Sequence, residues 1–216
     1  MRIVVWDLPT RLFHWALTVL VVGLFVTGKA GGEAMYWHAR FGYAVGALLL
    51  FRIVWGFIGG RWSRFSTFIP SLPSVRAYVR GARPAAPGHN PLGALSVYAM
   101  LLCLALQVAS GLFSETKDDF AGPLSLLVSN DTARLFTRYH KIYGEPILLA
   151  LVVMHLVAVA WYASRGANLL APMVTGFREV TEPAPGSRDD ALTRIRAAVV
   201  LSLCSLAVWW IVKLGG

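Results

Sequence analysis

Four of the five histidines lie at or inside apolar stretches that are long enough to cross a membrane: His14, His38, His140 and His155. An ionisable side chain inside a bilayer is energetically expensive, so such residues are candidates for a function. A neutral imidazole can bind iron or zinc, relay a proton or hydrogen-bond to a neighbouring helix. The depths at which the four histidines lie help to choose among these roles.

His140 and His155 share one apolar stretch. Their separation corresponds in an α-helix to about four turns plus about 60°, and to about 22 Å along the axis. Both side chains are therefore expected on roughly one side of the helix, one in each leaflet. His14 begins the first stretch and His38 begins the second, which runs in the opposite direction. This predicts two level pairs, His14 with His155 and His38 with His140.

Two imidazoles that face each other at one depth match the ligands of a bis-histidine haem, one on each side of the iron. Zinc would require further ligands at the same depth, and neither level supplies them from Cys, Asp or Glu. A proton relay stays open, although Glu145 is the only notable carboxylate in the spans. The alternative of another class is a haem-free membrane anchor or small transporter, in which the histidines are polar packing groups.

The elements that must position these histidines are five long apolar blocks in a chain with 56% hydrophobic and 14% charged residues. Blocks of about 20 residues match the roughly 30 Å hydrocarbon layer of a bilayer. The fifth block is short, so Arg196 and Lys213 would have to reach the two interfaces. The blocks cover approximately residues 12–27, 38–58, 92–113, 139–163 and 197–212.

These observations predict an all-α integral membrane protein. Residues 1–165 are expected to form a four-helix transmembrane bundle that binds two haems, and residues 166–216 a cytoplasmic linker and a fifth C-terminal transmembrane helix. Asn90 and Pro91 have the residue types of an N-cap and a first helical position. Gly28 and Gly59 are expected to end the first two helices.

The basic residues predict the orientation. The segment between Gly60 and Asn90 contains five arginines and no acidic residue, so it is expected in the cytoplasm. The N-terminus and residues 164–196 then fall on the same side. This asymmetry accounts for the net charge of +9 without a nucleic-acid partner. The competing interpretation of residues 1–34 as a signal peptide is disfavoured by Trp6, Asp7 and Pro9, which do not resemble a simple basic leader.

Motifs in four successive spans resemble the bacterial cytochrome b family that includes the cytochrome b subunit of nickel-iron hydrogenase and the small bacterial cytochrome b561 proteins. The similarity covers approximately residues 1–165 and leaves out the C-terminal extension. The matching motifs are Arg11-Leu12-Phe13-His14-Trp15, His38-Ala39-Arg40-Phe41-Gly42-Tyr43, Phe51-Arg52-Ile53-Val54-Trp55-Gly56, Gly88-His89-Asn90-Pro91-Leu92-Gly93, Ser110-Gly111-Leu112-Phe113, His140-Lys141-Ile142-Tyr143-Gly144-Glu145 and Met154-His155.

The resemblance implies that His14, His38, His140 and His155 are the axial iron ligands of two b haems, in the same two pairs. It implies a multi-pass protein of the bacterial inner membrane with a cytoplasmic N-terminus. The expected function is electron transfer across the bilayer between the quinone pool and a periplasmic partner, with quinone as an exchangeable substrate. A self-contained superoxide:quinone oxidoreductase is the alternative within the family.

No flavin, nicotinamide or iron-sulfur motif is present in the sequence, so the chain is interpreted as the electron-transfer subunit of an oxidoreductase. The expected partner is a periplasmic c-type cytochrome or a subunit of a hydrogenase or dehydrogenase. The outer loop, residues 114–138, has a weak acidic excess that includes Glu115, Asp118, Asp119 and Asp131. This loop can dock a basic partner or be an ordinary solvated loop.

Several residues near the expected haem levels have two possible roles each. Three glycines can make room for a porphyrin or allow close helix packing: Gly42, Gly46 and Gly144. Four arginines can pair with haem propionates or anchor helix ends at the interface: Arg11, Arg40, Arg52 and Arg138. His89 can be a solvated loop residue, or it can contribute to quinone binding or proton transfer.

Overall fold

The computed structural model describes residues 1–82, 87–116 and 120–215, and five of its helical segments are long and apolar enough to cross a membrane. This confirms the predicted all-α membrane fold with its additional C-terminal span. Four residues used in the sequence arguments lie outside the described residues: Arg83 of the basic linker, and Lys117, Asp118 and Asp119 of the outer loop.

The described part of the chain contains eight α-helices and two very short strands. The helices are α1 (Leu8–Ala30), α2 (Ala34–Ile58), α3 (Leu72–Val79), α4 (Pro91–Leu112), α5 (Asn130–Arg138), α6 (Glu145–Ser164), α7 (Leu170–Thr175) and α8 (Ala191–Lys213). The strands are β1 (Arg2–Val4) and β2 (Phe177–Glu179). The candidate spans are α1, α2, α4, α8 and the continuous helical segment Asn130–Ser164, which contains α5 and α6.

The fourth span is not a regular α-helix. Between α5 and α6, residues Tyr139–Gly144 form a π-helical turn, in which backbone hydrogen bonds run from i to i+5. Pro146 explains its position, because proline has no N–H to donate and its ring would clash with the carbonyl four residues earlier in an α-helix. The depth argument for His140 and His155 assumed α-helical geometry throughout, so its angle and rise do not apply across this turn.

One predicted helix end differs from the structure and two agree, since α2 ends at Ile58 directly before Gly59. α1 continues past Gly28 to Ala30 and is followed by Gly31 and Gly32, which have φ angles of 64° and 53°. These left-handed conformations suit glycine, so Gly31 and Gly32 rather than Gly28 make the turn. α4 begins at Pro91, and the Asn90 side chain accepts a hydrogen bond from the Gly93 amide at 2.7 Å, as predicted for an N-cap.

The last span is longer than its apolar block. α8 has 23 residues and begins at Ala191, where Asp190 accepts a hydrogen bond from the Thr193 amide at 2.8 Å. This cap extends the helix by one and a half turns through polar residues that hydropathy excluded. Lys213 belongs to the last turn of α8, so the helix does not require the short span that the sequence suggested.

The first of two compact units comprises Met1–Phe13, Arg52–Met100 and Leu151–Val200. In it β1 pairs antiparallel with β2, with Ile3 opposite Arg178. Ile3, Val5, Trp6 and Trp62 form a buried apolar cluster. The N-terminus, the segment after α2 and the segment before α8 meet there, so all three lie on one side of the membrane.

Ser187 and Asp7 hold these segments together. The Ser187 hydroxyl donates to the Val5 carbonyl at 2.9 Å and accepts from the Trp62 amide at 3.2 Å. Asp7 is fully buried and accepts from the amides of Thr10 at 2.8 Å and Gly60 at 3.0 Å. Asp7 thereby caps the start of α1 and joins it to the turn that follows α2. For the part of the C-terminal extension that contains Ser187, the sequence predicted only a linker.

The second unit comprises His14–Phe51, Leu101–Ala150 and Leu201–Gly216. The Phe113 and Phe136 rings stack in it with centroids 5.1 Å apart, beside two hydrogen bonds between Thr137 and the Glu115 backbone. These contacts join the end of α4 to α5. Lys29 and Glu145 form an ion pair at 2.5 Å that joins the end of α1 to the start of α6.

Candidate functional site

His38 and His140 meet in the second unit. Their imidazole rings lie edge to face, with centroids 6.1 Å apart and an interplanar angle of 83°. With metal–nitrogen bonds of about 2.0–2.1 Å, two imidazoles on opposite sides of one metal ion have ring centres about 6 Å apart. The separation of these two rings therefore matches that of axial ligands to a single iron.

Both rings are oriented by backbone carbonyls. His38 Nδ1 donates to the Leu24 carbonyl at 3.0 Å, and His140 Nδ1 donates to the Gln107 carbonyl at 3.0 Å. A carbonyl only accepts, so the proton lies on Nδ1 in each ring and Nε2 keeps its lone pair. A metal-ligating histidine typically donates its other N–H to such an acceptor. The tautomers thus leave both Nε2 atoms available as ligands.

Gln107 of α4 holds His140 from two directions. Besides its backbone carbonyl, its side-chain Nε2 donates to the His140 carbonyl at 3.2 Å. That carbonyl also accepts from the Glu145 amide across the π-helical turn. A Cβ on Gly144 would overlap the Gln107 side chain, so this glycine allows close packing rather than porphyrin access. Gln107 was not among the site residues predicted from the sequence, although an amide side chain within a largely apolar span could have indicated a polar role.

A cavity of about 770 Å³ surrounds the two rings, within the range of about 300–1,000 Å³ that is usual for ligand sites. A Cβ on Gly28 would approach the His38 ring to 3.1 Å, and one on Gly111 would approach the His140 ring to 3.1 Å. These glycines let the rings lie against α1 and α4. Gly42 also lines the cavity, and its Cβ position has no heavy atom within 4 Å.

Gly46 has a different role from Gly42. A Cβ on Gly46 would meet Val108 at 3.3 Å and Val208 at 3.8 Å. This position is therefore a close contact between α2, α4 and α8. The sequence left open whether three glycines make room for a porphyrin or allow close helix packing. Gly42 faces open space, whereas Gly46 and Gly144 pack against neighbouring helices.

Charged side chains line the same cavity. They include Lys29, Arg40, Lys141 and Glu145. The Arg40 guanidinium lies 4.1 Å from the centre of the Tyr36 ring, and Lys29 pairs with Glu145. Cations in the lining of the cavity suit the carboxylates of a haem, and the many apolar residues of the lining suit its porphyrin. Arg138 instead donates to the Tyr143 hydroxyl at 3.3 Å.

The residues around this cavity fit a b haem. The centres of the two imidazole rings lie at the spacing of axial ligands, glycines allow both rings to lie against neighbouring helices, and cations line the cavity and could pair with the propionates. In the described part of the chain, no three His, Cys, Asp or Glu side chains gather where they could hold a bare metal ion.

Comparison with known proteins gives the family. Residues 5–176 match the sequence profile of the prokaryotic cytochrome b561 family. The chain belongs to this family. It is accordingly a membrane b-type cytochrome that functions in electron transfer, and haem b is its implied cofactor. This confirms the resemblance carried by the motifs.

Relatives of this b561-family chain include three probable nickel/iron-hydrogenase B-type cytochrome subunits. The Escherichia coli protein is 29% identical over 141 residues, which are 51% of this chain and 60% of that protein. The Azotobacter vinelandii protein is 25% identical over 218 residues, covering 84% and 90%. The Rhizobium leguminosarum protein is 25% identical over 211 residues, covering 81% and 87%. No solved structure matches this chain significantly.

The other two candidate ligands belong to different units of the structure. His14 lies on α1 within the second unit, and His155 lies on α6 within the first. Their pairing therefore stays a prediction. His89 is next to Trp6 and Phe68, with ring centroids 4.8 and 4.4 Å away. It is enclosed by aromatic rings, in contrast to a solvated loop histidine.

Proposed function

We propose that this b561-family cytochrome binds two b haems and transfers electrons across the bilayer between the quinone pool and a periplasmic redox partner. His38 and His140 are the axial ligands of the outer haem, and His14 and His155 those of the inner haem. The observation that carries the proposal is the spacing of the His38 and His140 rings, with both Nδ1 atoms donating to carbonyls.

The protein residues orient and tune the site. A b haem supplies a one-electron redox centre, whose potential depends on its axial ligands and surroundings. The Leu24 and Gln107 carbonyls keep His38 and His140 in one tautomer, and the hydrogen bonds increase the basicity of the ligating nitrogens. Lys29, Arg40 and Lys141 line the cavity and stabilise negative charge there.

The orientation places the outer haem towards the periplasm. The N-terminus, the basic segment after α2 and the segment before α8 lie on one side of the membrane, as their contacts with Trp62 and Ser187 indicate. Arginines are concentrated on this side, which supports a cytoplasmic location. The protein is then a multi-pass protein of the bacterial inner membrane with its N-terminus in the cytoplasm.

The names of the relatives favour one partner. Because those proteins are designated hydrogenase cytochrome subunits, a hydrogenase-like subunit is the first choice for the periplasmic partner, ahead of a c-type cytochrome. Quinone is the exchangeable substrate. Within the chain, residues 1–165 form the di-haem domain, and residues 166–216 provide the cytoplasmic linker and fifth helix.

Haem content tests this proposal. Protein purified from haem-replete cells should be red, show a b-type spectrum after reduction with dithionite and contain two haems per chain by the pyridine haemochrome assay. A colourless preparation would support the haem-free anchor or transporter. One haem per chain would contradict the second pair. Quinone-dependent superoxide oxidation by the isolated chain would favour the self-contained oxidoreductase.

A further inference from the structure

Arg52 differs from the other arginines near the expected haem levels in being buried without a carboxylate within 4.0 Å among the described residues. Arg11 pairs with Asp189 at 3.6 Å, Arg138 donates to Tyr143, and Arg40 is exposed over aromatic rings. Arg52 lies on α2 and is only 4% exposed. Burying a guanidinium is costly unless a partner compensates for its lost hydration.

The surroundings of Arg52 are mainly aromatic. Its guanidinium carbon lies 4.7 Å from the centre of the Phe65 ring. A Cβ on Gly56 would overlap Phe65, so this glycine allows the ring to lie against α2. The Phe65 ring in turn contacts Tyr98, with centroids 5.5 Å apart. A cation over an aromatic ring is favourable, but the ring leaves the N–H groups in the guanidinium plane to be satisfied.

The hydrogen bonds around Arg52 leave one nitrogen of its guanidinium without an acceptor among the described residues. Arg52 Nη1 is enclosed and makes no hydrogen bond within the described residues. Asp7 is the nearby carboxylate, but Trp55 Nε1 and the Thr10 amide already donate to its Oδ1. The Gly60 amide and the Ser63 hydroxyl donate to Oδ2. Asp7 is therefore committed to the turn after α2, and no carboxylate of the described chain lies within 4.0 Å of Arg52.

His89 does not balance the charge either. Burial, together with the positive charge of Arg52, lowers the pKa of His89 from 6.5 to about 3. The imidazole is thus neutral at physiological pH, and its enclosed Nδ1 also has no hydrogen-bond partner in the described part of the protein. The pocket therefore holds a buried guanidinium and two enclosed nitrogens without a hydrogen-bond partner among the described residues, and the nearby Asp7 carboxylate interacts with Arg52 only through space. An anionic oxygen ligand is the group that such a pocket lacks.

The helical position of Arg52 favours a haem carboxylate as that ligand. Arg52 follows His38 on the regular helix α2, at a spacing that corresponds to about 21 Å and nearly four complete turns. It projects from approximately the same side of α2 as His38. A cation at this position is suited to a second haem level, which rests on the two-haem function proposed above.

We propose that Arg52 binds a propionate carboxylate of the inner haem, with His89 contributing to the same polar pocket. The guanidinium neutralises the carboxylate through charge-assisted hydrogen bonds in an enclosed, largely aromatic environment. Arg52 thereby orients the inner porphyrin and raises its midpoint potential, because a nearby positive charge stabilises the electron-rich reduced state.

Redox titration of purified Arg52→Gln tests this role. A unit charge about 10 Å from the iron at an effective dielectric constant of about 20 changes the reduction equilibrium about tenfold, which is ~59 mV for one electron. We expect the potential of the inner haem to fall by about this amount while that of the outer haem is unchanged. Arg52→Lys should retain most of the wild-type potential. Arg76→Gln, which removes an exposed arginine from α3, should change neither haem.

Infrared spectroscopy keeps the proposal testable if Arg52→Gln does not accumulate. Wild-type protein and Arg52→Lys can be produced with haem that carries 13C in its propionate carboxyl groups, and redox-difference spectra can be recorded on each. The isotope-sensitive carboxylate bands of the inner haem should shift between the two proteins. Unchanged bands would overturn the assignment, as would unchanged potentials in Arg52→Gln.

The outcomes separate this inference from the proposed function. Wild-type protein with two resolved haems, together with an unaffected Arg52→Gln, would reject the propionate contact and leave electron transfer intact. Wild-type protein without two haems would reject the function itself. If Arg52→Gln altered only the apparent affinity for quinone and left both potentials unchanged, the pocket would be a quinone site and the propionate assignment would be wrong.

Discussion

The His38 and His140 rings lie edge to face with centroids 6.1 Å apart, and each Nδ1 is 3.0 Å from a backbone carbonyl. The two carbonyls belong to Leu24 and Gln107, on α1 and α4. Four helical segments thus determine the relative orientation of two side chains. Because each Nδ1 donates to a carbonyl, the Nε2 atom of each ring keeps the lone pair with which an imidazole binds a metal.

Loss of either outer ligand should remove one haem. In His38→Ala and in His140→Ala, we expect the haemochrome count to fall from two to about one per chain, with no further fall in the double variant. A bis-histidine iron that loses one axial ligand is held too weakly to survive purification. Arg76→Gln, at an exposed position of α3, is the control and should retain both haems. Loss of both haems from a folded double variant would contradict the pairing.

Filling the space beside Gly42 should displace the outer haem without disturbing the helices. Gly42→Leu places a side chain where the Cβ position has no neighbour within 4 Å, so the folded protein should accumulate with about one haem. Gly46→Leu is the matched comparison, because it forces a side chain against Val108 and Val208. Overpacking there should cost about 1–3 kcal/mol and lower the thermal midpoint. Equal haem loss in both variants would argue against the specific role of Gly42.

Thiol labelling should establish the orientation. A cysteine at Leu126, whose side chain is 84% exposed, should react with a membrane-impermeant reagent in intact cells with a permeabilised outer membrane. A cysteine at the exposed position Ala77 of α3 should react only after lysis. The native Cys103 and Cys204 are buried and give the background. The reverse pattern would invert the direction of electron transfer.

Comparison of the two haem levels should locate the quinone site. His14→Ala removes the inner haem, so the outer haem should stay reducible by a periplasmic donor, whereas transfer to an inner-face acceptor should stop. His38→Ala should block reduction from the periplasmic side. Quinone-linked haem oxidation measured in both variants identifies the haem that exchanges electrons with quinone. Undiminished activity in both variants would show that electrons do not pass through these haems.

Acidification should destabilise the protein through His89. Its folded pKa of about 3 lies below its ordinary value of 6.5, so the unfolded state binds one more proton between these values. The resulting contribution to stability is present above pH 6.5 and decreases as the pH falls towards 3, by up to ~1.4 kcal/mol per pH unit. Thermal midpoints near neutral pH and near pH 5 should therefore differ more in the wild type than in His89→Phe. An equal difference in both proteins would rule out this contribution.

The sequence by itself determined the membrane class, the five spans and the cap at Asn90. Those features depend on local properties, namely apolar length, residue type and the hydrogen-bonding capacity of one side chain. The motifs also identified the family, because they occur in order on four spans. The two level pairs were predicted from the direction of each helix, and the π-helical turn at Tyr139–Gly144, which changes the angle and rise between His140 and His155, was not evident in the sequence.

Tertiary structure decided features that depend on contacts between distant segments. The pairing of β1 with β2 and the hydrogen bond from Ser187 to the Val5 carbonyl join residues more than 170 positions apart, which no local pattern reveals. Gly28 lies against His38 instead of ending α1, because the next helix returns beside it. The double contact of Gln107 with His140 and the missing partner of Arg52 depend on neighbours from other helices. Hydropathy indicates whether a residue is buried, whereas only the packing of the helices determines which atoms form hydrogen bonds with its polar groups.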